Sequence, residues 1–425
     1  MRKIQRKRYK RTLAATDFRE AQRYYQSHNT HYALAHLAQA VRLDPEGTSS
    51  RTLLVNLLQQ KRWFLPVEIF RHEGGVESVQ FSTDGTKVVT ASGDNTARLW
   101  NAATGVPLGV PMRHEGKVES AQFSPDGTKV VTASGDNTAR LWDAATGSPL
   151  GEPLKHEGKV ESAQFSPDGT KVVTASVDNT ARLWDAKTGP PLGEPMRHEG
   201  WVWSAQFSPD GTKVVTASVD NTARLWKAAT GAPLGEPLRH EGWVWSAQFS
   251  QDGTKVVTAS ENTARLWDAK TGPPLGEPMR HEGWVWSAQF SQDGTKVVTA
   301  SENTARLWNA ATGVPLGEPL RHEGWVLSAQ FSPDGTKVVT ASVDSTARLW
   351  DAKTAAPLGE PMRHEGGILR AQFSPDETKV VTASLDNTAR LWDAATGAPL
   401  GEPLRHEDRV ESAQFSPDGT KVVTA

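Results

Sequence analysis

The chain has 425 residues, with 47 Lys+Arg against 49 Asp+Glu and a formal net charge of −2. The balance hides a split: the first 64 residues hold 13 basic and 4 acidic side chains, the rest 34 and 45, so a basic head precedes an acidic body. The chain has no cysteine, which excludes disulfide staples, Cys-ligated zinc and a thiol nucleophile, and no run of about 18 apolar residues that would span a membrane. No apolar stretch follows the basic start, so it is not read as a signal peptide, and a cytoplasmic location is expected.

Residues 1–64 read as a basic helical segment. It holds all four tyrosines, Tyr9, Tyr24, Tyr25 and Tyr32. Arg2 through Arg11 carry seven positive charges, either a contact for nucleic acid or an anionic surface or, as weighed here, a solvated and frayed terminus. FREAQRYYQ and HYALAHLAQAVRLDP have helical spacing, with Ala33, Leu37, Ala40 and Val41 on one stripe. Pro45 and Gly47 stop the second helix. A third, SSRTLLVNLLQQ, is expected with Ser49 or Ser50 as its cap. His28, His31 and His36 are too loosely spaced for a metal pair.

From residue 65 the chain is periodic. A His-Glu-Gly triplet (once His-Glu-Asp) begins at His72, His114, His156, His198, His240, His281, His322, His364 and His406. The steps are 42 residues, with two of 41 caused by one deletion each, which turns ASVDNTARLW into ASENTARLW at Ala259 and Ala300. A fixed period of this length marks a repeat architecture. Each unit reads as four strands: a (like WVWSAQFS), a Pro-Asp-Gly or Gln-Asp-Gly turn, b (KVVTAS), c (TARLW) and d (like PPLGEPM). Strand d carries two prolines, so it belongs at an outer edge. The ninth copy stops after strand b at Ala425, and a longer natural protein is expected from that. LPVEIF, residues 65–70, aligns with strand d and is expected to close a ring by pairing with a late repeat. Eight blades are preferred, nine with a three-stranded last blade is the alternative, and seven ranks third.

These features resemble the WD-repeat family over residues 65–425. The resemblance rests on the period, the His before strand a and the Trp-Asp pairs at Trp142–Asp143, Trp184–Asp185, Trp267–Asp268, Trp350–Asp351 and Trp392–Asp393. Asn101, Lys227 and Asn309 depart from that pair, and Arg-His or Lys-His stands for the usual Gly-His. The resemblance implies an all-β WD-repeat β-propeller of about eight four-stranded blades in a closed or nearly closed ring, behind a short α-helical segment. It also implies that His72, Thr90, Asp94 and Trp100, with their counterparts, form a buried network tying each blade. Read alone, such a set imitates a nucleophilic triad, but it recurs in most repeats, which an active site does not. Glu261 and Glu302 replace the Asp in the two short repeats and put the network in question there. The stretch Ala33–Pro45 is similar to the second helix of a tetratricopeptide repeat. No catalytic residue, cofactor or metal site is expected. Highly regular bacterial arrays of this family imply scaffolding of protein partners in signalling or complex assembly. The alternatives are a propeller-type hydrolase or lyase, or nucleic-acid association through the basic head.

Variation between copies concentrates on the two residues flanking the first strand-a valine. They read Gly75/Glu77, Lys117/Glu119, Lys159/Glu161, Trp201/Trp203, Trp243/Trp245, Trp284/Trp286, Trp325/Leu327, Gly367/Leu369 and Arg409/Glu411. In the family these positions ring the channel entrance. Trp201, Trp203, Trp243, Trp245, Trp284, Trp286 and Trp325 are therefore the expected partner-binding residues. The competing reading is packing between blades, since strand alternation puts Trp203 on one face with Ala205 and Phe207.

Overall fold

The structure is a computed structural model that describes residues 2–26, 30–45, 47–60 and 69–425. The chain divides into two compact units, Met1–Pro66 with Leu400–Pro403, and Val67–Pro399 with Leu404–Ala425.

The first unit holds three helices: α1 (Arg2–Gln26), α2 (Thr30–Leu43) and α3 (Thr48–Gln60). Ala21 of α1 and Leu37 of α2 are fully buried against each other, and Phe18, Leu53 and Leu54 pack around them. The His36 ring meets Asp17 at 3.0 Å. The first helix begins at Arg2, inside the basic start, in keeping with the high helix propensity of Arg, Lys and Gln. One expectation is corrected. The third helix begins at Thr48 with Gly47 ahead of it, so Ser49 and Ser50 lie in its first turn and do not cap it. Its opening bond runs from the Arg51 amide to the Gly47 carbonyl, 3.3 Å, and glycine is tolerated at an N-cap.

The second unit consists of eight four-stranded antiparallel sheets and a two-stranded ninth. In blade one, strands a to d are Val76–Phe81, Lys87–Ser92, Thr96–Asn101 and Pro107–Arg113. From the first blade to the ninth unit, strand a lies against strand a of the next, so these strands form the inner wall. Strand b is buried almost throughout in every full blade, because both of its faces are covered. Strand d is mostly exposed, and in four blades it shrinks to two residues such as Leu154–Lys155. The a–b turn is fixed by its sequence. Gly85 has φ +67°, and the Ser82 hydroxyl donates to Asp84 at 2.6 Å. Those hydrogen bonds from Ser82 and Thr86 hold the Asp84 carboxyl down at about 2.

Blades join through a repeated apolar seam. Val89, Ala91, Ala97, Leu99 and Met112 of blade one pack on Val118, Phe123, Val130 and Trp142 of blade two. The same columns meet at the following seams. The eight four-stranded blades expected from the repeats are present, and the ninth copy joins them. Val423 and Ala425 of the ninth repeat pack on Val79, Phe81, Val88 and Trp100 of blade one. Gly85 lies against Pro417 as Gly169 lies against Pro125 and Gly211 against Pro167. The ring thus counts nine units, and the last has two strands, Ala413–Phe415 and Val422–Thr424, among the described residues. These two strands pack on blade eight on one side and on blade one on the other. Residues 65–68 of the expected closing strand lie outside the described residues. Phe70 occupies the strand-d column of Met112 and stacks on Trp100 at 5.0 Å. Among the described residues the contacts across this seam are between side chains, and no shared sheet spans it.

Candidate functional site: an aromatic arc where the inner strands begin

The repeated polar set is a buried relay. In blade two the Trp142 indole N–H donates to Thr132 Oγ1 at 2.8 Å, Thr132 meets His114 Nε2 at 2.7 Å, and His114 Nδ1 meets Asp136 at 2.8 Å. The Glu115 amide and the Thr138 hydroxyl also donate to that carboxylate. Burial alone would raise such a carboxyl, but at Asp220 the hydrogen bonds from His198 and Thr222 outweigh it and hold the pKa well below normal. The His114 and His198 side chains are solvent-inaccessible. The relay links the His before strand a to strands b and c and fixes one geometry.

Two of the four-stranded blades lack the carboxylate. His240 and His281 keep the bond to Thr258 and Thr299, 2.6 and 2.7 Å, but no Asp faces their Nδ1, and that of His281 is left without a partner. Burial, aided by Arg265 and Arg306, pushes both rings down to about 3. Glu261 and Glu302, which stand in the deleted loops, are exposed and lie against Gly242 and Gly283, immediately before Trp243 and Trp284.

The starts of the a strands divide the inner rim into two kinds of surface. In blades one to three the charges neutralise one another. Lys117 bridges Glu77 at 3.0 Å and Glu119 at 3.6 Å, and Lys159 bridges Glu119 at 3.1 Å and Glu161 at 3.2 Å. Burial works against the Lys159 charge, but the two carboxylates outweigh it and raise its pKa.

In blades four to seven the same positions form an unbroken file of indoles. The centroid separations are 6.1 Å for Trp201–Trp203, 6.0 Å for Trp203–Trp245, 5.4 Å for Trp243–Trp245, 5.9 Å for Trp245–Trp284, 5.4 Å for Trp284–Trp286 and 6.2 Å for Trp286–Trp325. Trp201, Trp243, Trp284 and Trp325 are 50%, 47%, 44% and 54% exposed. Trp203, Trp245 and Trp286 are half-buried, and their indole N–H groups are buried without an acceptor. The alternation expected for Trp203 does not hold, because it is the extra residue of a β-bulge: Val202 pairs with Ser218 and Ser204 with Ala217. A bulge re-aims its side chain, here onto the next blade's tryptophan. Trp245 and Trp286 sit at the same bulge.

At the end of the file a depression of about 610 Å³ is lined by Glu302, Asn303, Glu323, Gly324, Trp325 and Val343. Column comparison finds the tryptophans but not these carboxylates. Glu302 reaches the rim only because the deletion shortens its loop. Among the described residues, no three His, Asp or Glu side chains converge as a metal site would require, and no helix is long and apolar enough to cross a membrane.

Comparison with known proteins adds to this geometry. A family model described as the IFT122 first beta-propeller matches residues 67–301, more than half of the chain. The WD domain, G-beta repeat model matches residues 313–351 and 357–393. No curated protein matches. A similar solved structure is the crystal structure of the computationally designed Ika8 protein, 27% identical, covering 76% of this chain and 97% of that one, with a TM-score of 0.61. Propellers of this kind are typically protein-interaction scaffolds rather than enzymes. The His–Thr–Asp–Trp relay, the four-stranded blades and the matched family models together place the chain in the WD-repeat β-propeller family.

Proposed function

We propose that the chain is a protein-interaction scaffold whose partner docks on the tryptophan arc of blades four to seven. The observation that carries this is the continuous file of seven indoles with four of them about half exposed. Monomeric proteins rarely leave such a surface open without using it, and tryptophan is prominent among binding hot spots. The regularity of the array, which resembles bacterial WD-repeat arrays, supports a role in signalling or complex assembly in the cytoplasm.

The test separates binding from packing through Trp243→Ser. A hot-spot indole contributes about 2 kcal/mol or more, so capture of a partner by the intact chain should weaken at least ~30-fold while the thermal midpoint moves little. If Trp243 mainly packs, the loss appears as ~3–5 kcal/mol of stability. A large drop in melting temperature, with affinity of the folded fraction unchanged, sinks this reading. Trp245→Ser should behave the other way and lose stability first.

A further inference from the structure

The rim carries its own information about the partner's charge. Blades one to three are internally compensated, with each lysine set between two carboxylates. Blades four to seven have no Lys or Arg at the equivalent strand-a positions. What surrounds the tryptophans is acidic: Glu241, Glu261, Glu282, Glu302 and Glu323 are all exposed. No cation pairs with the carboxylates of Glu261, Glu302 or Glu323 among the described residues. The depression beside Trp325 brings two of these carboxylates to an indole that is more than half exposed.

An aromatic face flanked by unpaired carboxylates is complementary to one chemistry, a planar cation. The indole π-face attracts a guanidinium through its quadrupole. A guanidinium also stacks flat and donates several hydrogen bonds in one plane, which an ammonium does not. Resting on the partner-binding reading above, we propose that this end of the arc is a subsite for an arginine side chain of a basic segment in the partner, with Trp325 as its platform and Glu302 and Glu323 as its counter-charges. The compensated half has exposed counterparts of Glu323 in Glu73, Glu115 and Glu157, but no indole beside them and no counterpart of Glu302. It lets the acidic, aromatic half set the orientation in which a basic segment lies across the ring.

The probe is a fluorescein-labelled octaarginine peptide, read by anisotropy against the full chain at two salt concentrations. Binding should be salt-sensitive, and E302Q/E323Q should weaken it about tenfold. Trp325→Ser should weaken it similarly. E152Q/E194Q, which removes the same charge from the exposed bends ahead of Leu154–Lys155 and Met196–Arg197, should leave it unchanged. Octaarginine that fails to bind, or that responds equally to both double variants, overturns the arginine subsite. If capture of a protein partner still depends on Trp243 in that case, the partner-binding reading survives while this one falls. Salt-sensitive self-association of the free chain, abolished by E302Q/E323Q, would make Arg2–Arg11 of a second copy the occupant and would overturn a separate partner.

Discussion

At position 377 the eighth blade carries a glutamate where every other a–b turn has glycine. Glu377 is held at φ +59°, a left-handed conformation that costs an L-residue roughly 1 kcal/mol. Its carboxyl pKa is raised, by burial first and then by repulsion from Asp334. Glu377→Gly should therefore raise stability by about 1 kcal/mol, read as a later urea midpoint with unchanged slope; an unchanged or earlier midpoint would show that the turn bears no strain. At this scale the sequence was legible wherever a residue's role is local. Asp-Gly turns and the His–Thr–Asp–Trp relay could be read because the same side chains return at the same spacing. Trp203 could not, since strand alternation assumes a regular ladder and the bulge after Val202 breaks it.

Among the elements, blades five and six stand apart. A single-residue deletion in the b–c loop removes the Asp that pairs with His in the blades on either side, and leaves His240 and His281 near 3. In the unfolded chain these rings titrate near 6.5, so they bind protons there that the folded protein excludes. Their contribution to stability is complete above about 6.5 and is lost as pH falls towards 3. The thermal midpoint should drop as pH is lowered from 7 to 4.5, and H240Q/H281Q should flatten that drop even if it lowers stability at pH 7. Equal slopes for the two proteins would refute the assignment. The sequence flagged these two blades through Glu261 and Glu302. It did not reveal that the displaced carboxylates reach the aromatic rim, because that depends on how the shortened loop folds over Gly242 and Gly283.

For the whole ring, the eight four-stranded blades were legible because eight copies carry all four strands. How the ninth copy meets blade one was not, because that contact joins residues far apart in the chain. The closing seam is thin. Where an ordinary seam draws on strands b, c and d, this one has Val423 and Ala425 from strand b and Phe70 in the strand-d column. Phe70→Ala should remove about 2 kcal/mol, less than the ~3–5 kcal/mol of a fully buried phenylalanine, and should open the ring. Small-angle scattering would report the opening as a larger radius of gyration. A variant as compact and as stable as the parent would show that Phe70 does not hold the seam.

That thin seam also sets an order in time. Every other seam joins neighbours one repeat apart, so blades can assemble one upon the next with short loops to close. The last joins Phe70 to Val423, across some 350 residues. Bringing such distant points together costs roughly 2 kcal/mol more chain entropy than joining adjacent repeats, and its reward is smaller than at any other junction. Neighbouring blades can therefore stack before this seam forms, and Trp100 is covered only when it does.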